Sequence, residues 1–147
     1  MSKERPSLTL VRRIKAAPAK VYAAWTRPEL MVRWWGPDGG PVLSAESDPR
    51  VGGRFRVVFQ SLAGETHDCS GEYLEVEPER KLVFTWQWIT TPERRSLVSI
   101  AFSPIPEGTE LSFTHSQFYD EAARDGHLRG WTGSFNRLQS LLEEISA

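Results

Sequence analysis

His67, Cys69 and His115 are the side chains of this 147-residue sequence best suited to metal or nucleophilic chemistry. In "HDC", His67 and Cys69 stand two residues apart, which on a strand puts both on one face, and His115 could approach from another strand. A thiolate with imidazoles would suit zinc. Three scattered ligands without a second close pair make a poor zinc signature, so no metal is expected. Cys69 as nucleophile with His67 as its base is disfavoured by distance. Side chains two apart on one strand are roughly 6 to 7 Å apart at their bases, longer than a direct hydrogen-bonded pair. The expectation for Cys69 is a buried, inert thiol.

Other reactive constellations are weaker still. Glu46 with Asp48, and Glu75 with Glu77, have strand spacing but fall near strand ends, where solvated charges are routine, so an acid and base pair there is remote. The glycine-rich segments "GPDGG" and "RVGG" lack the lysine and following helix of a phosphate loop. No catalytic residue and no cofactor is assigned.

Stepping outward to the elements, turn signals at "GPDGGP", "DPRVGG", "LAGE", "EPER", "TTPE" and "PIPEG" recur about every 8 to 15 residues, as consecutive antiparallel strands joined by hairpins require. The segments between them alternate. Leu111, Phe113 and His115 share one face of "TELSFTH", and Leu82, Phe84, Trp86 and Trp88 share one face of "KLVFTWQW". "RFRVVF" offers Phe55, Val57 and Phe59, and "LVSIAF" offers Val98, Ile100 and Phe102. In "HDCSGEYLEV" the alternation slips, which predicts a bulge at or near Gly71. A first strand in "LTLVRRI" precedes two short helices opened by Pro18 and Pro28, since proline suits the first helical turn. The C-terminal helix carries Leu128, Trp131, Phe135, Leu138, Leu142 and Ile145 at intervals of three and four. This order implies an α+β fold in which a curved antiparallel sheet wraps the long C-terminal helix.

Four stretches carry a resemblance: "AAPAKVYAAWTRPELMVRWWGP", "DPRVGGRFRVVF", "GEYLEVEPERKLVFTW" and "GWTGSFNRLQSLLEEI". In that order they resemble the successive signatures of the START-like (SRPBCC, helix-grip) superfamily. They are most similar to the branch named after the C-terminal domain of the activator of the heat-shock chaperone ATPase. The likeness runs from about Leu8 to Ile145. It implies a seven-stranded sheet gripping the last helix around a cavity that takes hydrophobic small molecules in many members. The chaperone activators themselves carry a separate N-terminal chaperone-binding domain, which this chain has no room for, so the family name is not an activity.

The last helix contains Gly126, Gly130 and Gly133 among its apolar anchors, and a glycine inside a helix costs about 1 kcal/mol relative to alanine. Space kept open against the aromatic sheet face would account for them, and so would close helix-to-sheet packing. The adjacent Trp34 and Trp35 point about 100° apart on a short helix. One ring is expected on the sheet and the other over the cavity mouth beside "GPDGG", as a lid hinge. The residues expected to meet a ligand are Trp35, Phe55, Phe59, Tyr73, Trp86, Trp88, Phe102, Phe113, His115, Trp131 and Phe135. Among them Tyr73 and His115 lead as orienting polar groups, with indole N–H donors from Trp86, Trp88 and Trp131. For His115 a core histidine bonded to a backbone carbonyl is the alternative.

Composition sets the remaining bounds. At this length one domain, residues 1–147, is expected. The 18 basic and 19 acidic residues nearly cancel, so neither nucleic acid nor an anionic membrane is drawn in by charge. The aromatic face does not make an RNA platform, because the helix needs it. One cysteine excludes an internal disulfide, and "MSKERPS" has no apolar leader, which together read as cytoplasmic. No apolar run approaches the roughly 18 residues needed for a membrane span. Three functions stay open: a non-catalytic carrier or sensor of a small hydrophobic molecule, a cyclase or dehydratase using the same cavity with His115 or Tyr73, and a chaperone-binding module resting on the resemblance alone. The resemblance also admits a homodimer.

Overall fold

The computed structural model describes residues 5–36 and 38–146. Residues 1–4 of the segment read for a leader, Pro37 of the "GPDGGP" turn, and Ala147 lie outside the described residues. The chain runs β1 (Leu8–Ile14), α1 (Pro18–Thr26), α2 (Pro28–Met31), β2 (Val42–Ser47), β3 (Arg54–Gln60), β4 (Thr66–Glu77), β5 (Lys81–Trp88), β6 (Ser96–Ile105), β7 (Gly108–Ser116) and α3 (Glu121–Ile145). All strands join one antiparallel sheet in the order β1-β7-β6-β5-β4-β3-β2. From β2 to β7 each strand pairs with its neighbour in sequence, as short hairpins dictate. β1 instead pairs with β7, so β1 and β2 occupy opposite edges and the two short helices carry the chain between them. This is the curved-sheet α+β helix-grip arrangement expected from the sequence.

Local chemistry sets the boundaries. Proline occupies the first turn of both α1 and α2, and Arg27 between them is extended, because the ring of Pro28 disfavours helical backbone in the residue before it. Asp120 caps α3 by accepting a hydrogen bond from the Ala123 N–H at 2.8 Å. The alternating strand residues bury one face: Phe55, Val57 and Phe59, Leu82, Phe84 and Trp86, Val98, Ile100 and Phe102, and Leu111, Phe113 and His115 are all buried. Helix α3 lies on that face and adds Trp131, Phe135, Leu138, Leu141 and Leu142.

The structure departs from the sequence reading in several places. The register slip in β4 falls between Tyr73 and Glu75, not at Gly71. It leaves Leu74 exposed beside Glu75 and returns Val76 to the core side, as one extra residue in a pleated strand must. Gly71 answers a different need. A Cβ there would sit 1.8 Å from the Thr85 carbonyl oxygen and 2.6 Å from the Phe55 ring. On α3, Leu128 and Ile145 are each 36% exposed, while Leu141 and Ser134 are buried in their place. The sheet covers a limited arc of the helix, and these two residues fall at its margins.

Two glycine substitutions test this packing in urea unfolding. Gly71→Ala is expected to lose about 3 kcal/mol or more, because backbone must move to admit the methyl group. Gly126→Ala, whose Cβ would have only the Arg129 guanidinium at 3.8 Å as a neighbour, is expected to gain up to about 1 kcal/mol. Equal effects at the two positions would contradict the packing described.

Candidate functional site

At one end of the grip the first half of α3 stands away from the sheet and leaves a cleft of about 500 Å³. Its sheet wall comes from Phe59 on β3, His67 on β4, and Trp86 and Trp88 on β5; its helix wall comes from Ala123, Gly126, His127, Gly130, Trp131 and Ser134. Trp35 and Gly36 close one side, and Ile89, which is 63% exposed, stands at the rim. The helix wall is small where the cleft is open and becomes large beyond it, with Phe135, Leu138 and Leu142 seated in the core. Gly126 and Gly130 therefore border open space, whereas Gly133 does not line the cleft.

Trp35 and Trp34 separate as their spacing requires. Trp34 is fully buried, donates its indole N–H to the Ala24 carbonyl at 2.9 Å, and packs edge-on against Trp25. Trp35 lies nearly parallel to Trp86, with ring centroids 6.0 Å apart. It is buried and forms a fixed wall rather than a hinged cover, because the sheet aromatics hold both of its surroundings: Trp86 on one side and Phe55 at 6.3 Å. The chain then turns at Gly36, whose φ of +104° suits glycine.

Of the residues singled out in the sequence, the fold brings Trp35, Phe59, Trp86, Trp88 and Trp131 to the cleft. Phe55, Tyr73, Phe102, Phe113, His115 and Phe135 lie in the core away from the lining. Phe55 packs edge-on to Phe84, Phe102 packs edge-on to Tyr22 of α1, and Phe113 sits against Trp131 and Phe135. The Tyr73 hydroxyl is engaged by the Ser47 hydroxyl at 2.8 Å, and burial pushes its pKa up to about 12. Cys69 is fully buried. Burial pushes its thiol far up, partly opposed by the neighbouring Trp35 side chain, and its S–H donates to the Val57 carbonyl at 3.7 Å, so a thiolate nucleophile does not form at neutral pH.

The buried His115 and the half-buried His127 have settled tautomers. Trp131 donates its indole N–H to His115 Nδ1 at 3.0 Å, so the ring proton of a neutral His115 is on Nε2, which donates to Ser96 Oγ at 2.7 Å. The alternative expected for His115, a core histidine, describes its place, although its partners are side chains instead of a backbone carbonyl. His127, which the sequence reading did not single out, donates from Nδ1 to the Ala123 carbonyl at 2.7 Å and accepts the Trp88 indole N–H on Nε2 at 2.9 Å. The spacing Ala123, His127, Trp131, Ser134 on one helical face was the available signal. Burial lowers the pKa of both histidines; the neighbouring His127 also lowers that of His115, and the Ala123 carbonyl partly opposes the shift in His127. Both rings are neutral with both nitrogens committed, leaving neither as a free base toward the cleft. Among the described residues, no three His, Cys, Asp or Glu side chains gather to hold a metal.

These histidines make stability depend on pH. Their folded pKa values lie below the usual 6.5, so the unfolded chain takes up protons first as pH falls below about 6.5, and stability declines until the folded values are reached. The limiting slope is about 1.4 kcal/mol per pH unit for each histidine. Urea midpoints at pH 7.5, 6.5 and 5.5 should fall less steeply in His115→Asn than in the unaltered protein; an unchanged slope would contradict the neutral buried ring.

Comparison with known proteins gives the fold a context. The chain is similar to protein CV1439 from Chromobacterium violaceum, with 28% identity, a TM-score of 0.85, and coverage of 93% of this chain and 96% of that one. It is also similar to the AHSA1 protein SPO3351 from Silicibacter pomeroyi, with 29% identity, a TM-score of 0.82, and coverage of 93% and 97%. Protein MLL2253 from Mesorhizobium loti is 30% identical, with a TM-score of 0.76 and coverage of 95% and 98%. No curated protein matches the chain. No helix among the described residues is long and apolar enough to cross a membrane. The family model described as "Activator of Hsp90 ATPase homolog 1-like protein" matches residues 15–143, and the chain belongs to that family, within the START-like superfamily that its sequence signatures resemble.

Proposed function

We propose that this protein binds a small, mainly apolar molecule in the cleft between sheet and helix α3, as a carrier or sensor, without transforming it. The observation that carries this reading is the cleft itself. Its volume of about 500 Å³ lies in the range of small-molecule sites, and four tryptophans and Phe59 line it. Aromatic walls favour flat or aliphatic ligands by contact area and by stacking. The chemistry of the site favours binding over turnover. Cys69 is buried as a thiol, Tyr73 is held by Ser47 in the core, and His115 and His127 are neutral and saturated with hydrogen bonds. A cyclase or dehydratase working through His115 or Tyr73 would need that group to face a substrate, and both lie behind the wall.

The ligand proposed is bounded by the wall residues Trp35, Phe59, Trp86, Trp88 and Trp131. Of the other six residues singled out in the sequence, Phe55, Phe113, His115 and Phe135 back the rings that face the cleft, while Tyr73 and Phe102 belong to the core beyond them. We place the protein in the cytoplasm on the strength of its lone reduced cysteine.

The test uses the neutral fluorescent probe N-phenyl-1-naphthylamine. Gly130→Leu places a bulky side chain in the helix wall and should weaken probe binding at least about tenfold, the order expected when a cleft of this size loses a side chain's volume of contact. Its thermal midpoint should not fall, because leucine is the better helix former. Unchanged probe affinity in a folded Gly130→Leu would show that the probe binds elsewhere. Native mass spectrometry of the freshly purified protein, compared with a denatured run, reads out any molecule that travels with the fold.

A further inference from the structure

Six tryptophans contribute six indole N–H donors, and most have partners. Trp34 donates to the Ala24 carbonyl, Trp88 to His127 and Trp131 to His115, and Trp35 is engaged with the Cys69 sulfur. The indole nitrogens of Trp25 and Trp86 are buried with no partner among the described residues. Trp25 belongs to the core, surrounded by Trp34, Phe113 and Phe135, and does not line the cleft. Trp86 is only 3% exposed and forms part of the cleft wall. A buried donor without an acceptor loses the hydrogen bond it made to water and gains none in return, and native folds rarely leave one without a reason.

We infer that the Trp86 indole N–H is the polar recognition point of the cleft and selects ligands carrying a hydrogen-bond acceptor, such as a ketone oxygen, on an otherwise apolar flat framework. The inference rests on the cleft being a ligand site, as proposed above. The surroundings of Trp86 favour such a molecule. Its ring is held by Trp35 at 6.0 Å, Trp131 at 5.1 Å and Trp88 at 5.4 Å, so the indole is fixed in place before a ligand arrives. The neighbouring indole donors of Trp88 and Trp131 are already spent on histidines, which leaves Trp86 as the unpaired indole of the wall. Ser134, buried in the helix wall, supplies the only hydroxyl on that side of the cleft among the described residues. An anionic ligand has no such support, because no lysine or arginine among the described residues lines the cleft.

The experiment compares fluorene with 9-fluorenone, which share a flat framework and differ by one ketone oxygen, through displacement of N-phenyl-1-naphthylamine. The unaltered protein should bind 9-fluorenone on the order of tenfold more tightly than fluorene. In ¹H–¹⁵N spectra one indole resonance should move on addition of 9-fluorenone and stay in place with fluorene. Trp86→Phe, which keeps an aromatic ring and removes the donor, identifies that resonance by its loss and should bind the two compounds about equally. Equal binding of both compounds by the unaltered protein, or a preference retained in Trp86→Phe, overturns the inference and leaves cleft binding standing. Failure of both compounds to bind overturns the cleft reading and this inference together. Should Trp86→Phe not fold, assignment of the indole resonances in the unaltered protein decides the matter, and a shift confined to any other tryptophan counts against Trp86.

Discussion

The seating of Trp131 against the sheet governs the rest of the molecule. Its ring meets Phe113 at 4.7 Å, Trp86 at 5.1 Å, Trp25 at 5.9 Å and Trp35 at 6.0 Å, so one helical side chain touches both the sheet and the segment following the short helices. Burying an indole costs free energy unless its N–H finds an acceptor, and His115 on β7 supplies one for Trp131. That hydrogen bond fixes the helix in register with the sheet and fixes the tautomer of the histidine, which in turn engages Ser96 on β6. One constraint thus links α3, β7 and β6.

Beyond Trp131 toward the helix N-terminus, the side chains become small and the cleft opens. In the other direction they become large and the core closes. The same helix therefore performs two tasks, and the change from Gly126 and Gly130 to Phe135, Leu138 and Leu142 marks the border. The second indole-to-histidine bond, from Trp88 to His127, braces the two walls of the cleft against one another. His115 and His127 are spent on structure, so neither serves the cleft as a free acid or base. Family membership agrees with a binding module and leaves the ligand to be read from the cleft.

The strands were legible because they turn their large apolar residues to one face, so period-two alternation survives in the sequence even in β5, where Val83 and Thr85 on the other face are buried too; β1 and β5 begin and end where their residues predict. The bulge in β4 was legible as a slip but displaced by three residues, since parity reports that a residue has been inserted and not where its neighbour stops pairing. Leu128 and Ile145 continue the helical period yet lie partly exposed, because the period does not say how much of the helix the sheet reaches. In the site, five of the eleven residues singled out face the cleft. The other six also point inward but stand where other side chains have already filled the space: Phe113, His115 and Phe135 around Trp131, Phe102 against Tyr22 of α1, and Phe55 and Tyr73 against Phe84. His127 escaped notice because its partners, Trp88 and Ala123, are joined only when α3 crosses β5.

The sequence by itself determined the strand and helix order, the inward aromatic face, the balanced charge and the family signatures, because these depend on local periodicity and composition. Only the tertiary structure decided which inward rings border empty space, which indole N–H groups find acceptors, and that the buried histidines stay neutral. Those properties depend on the distance between a helix and a sheet that the chain brings together from opposite ends of a hairpin series, and no local pattern encodes that separation.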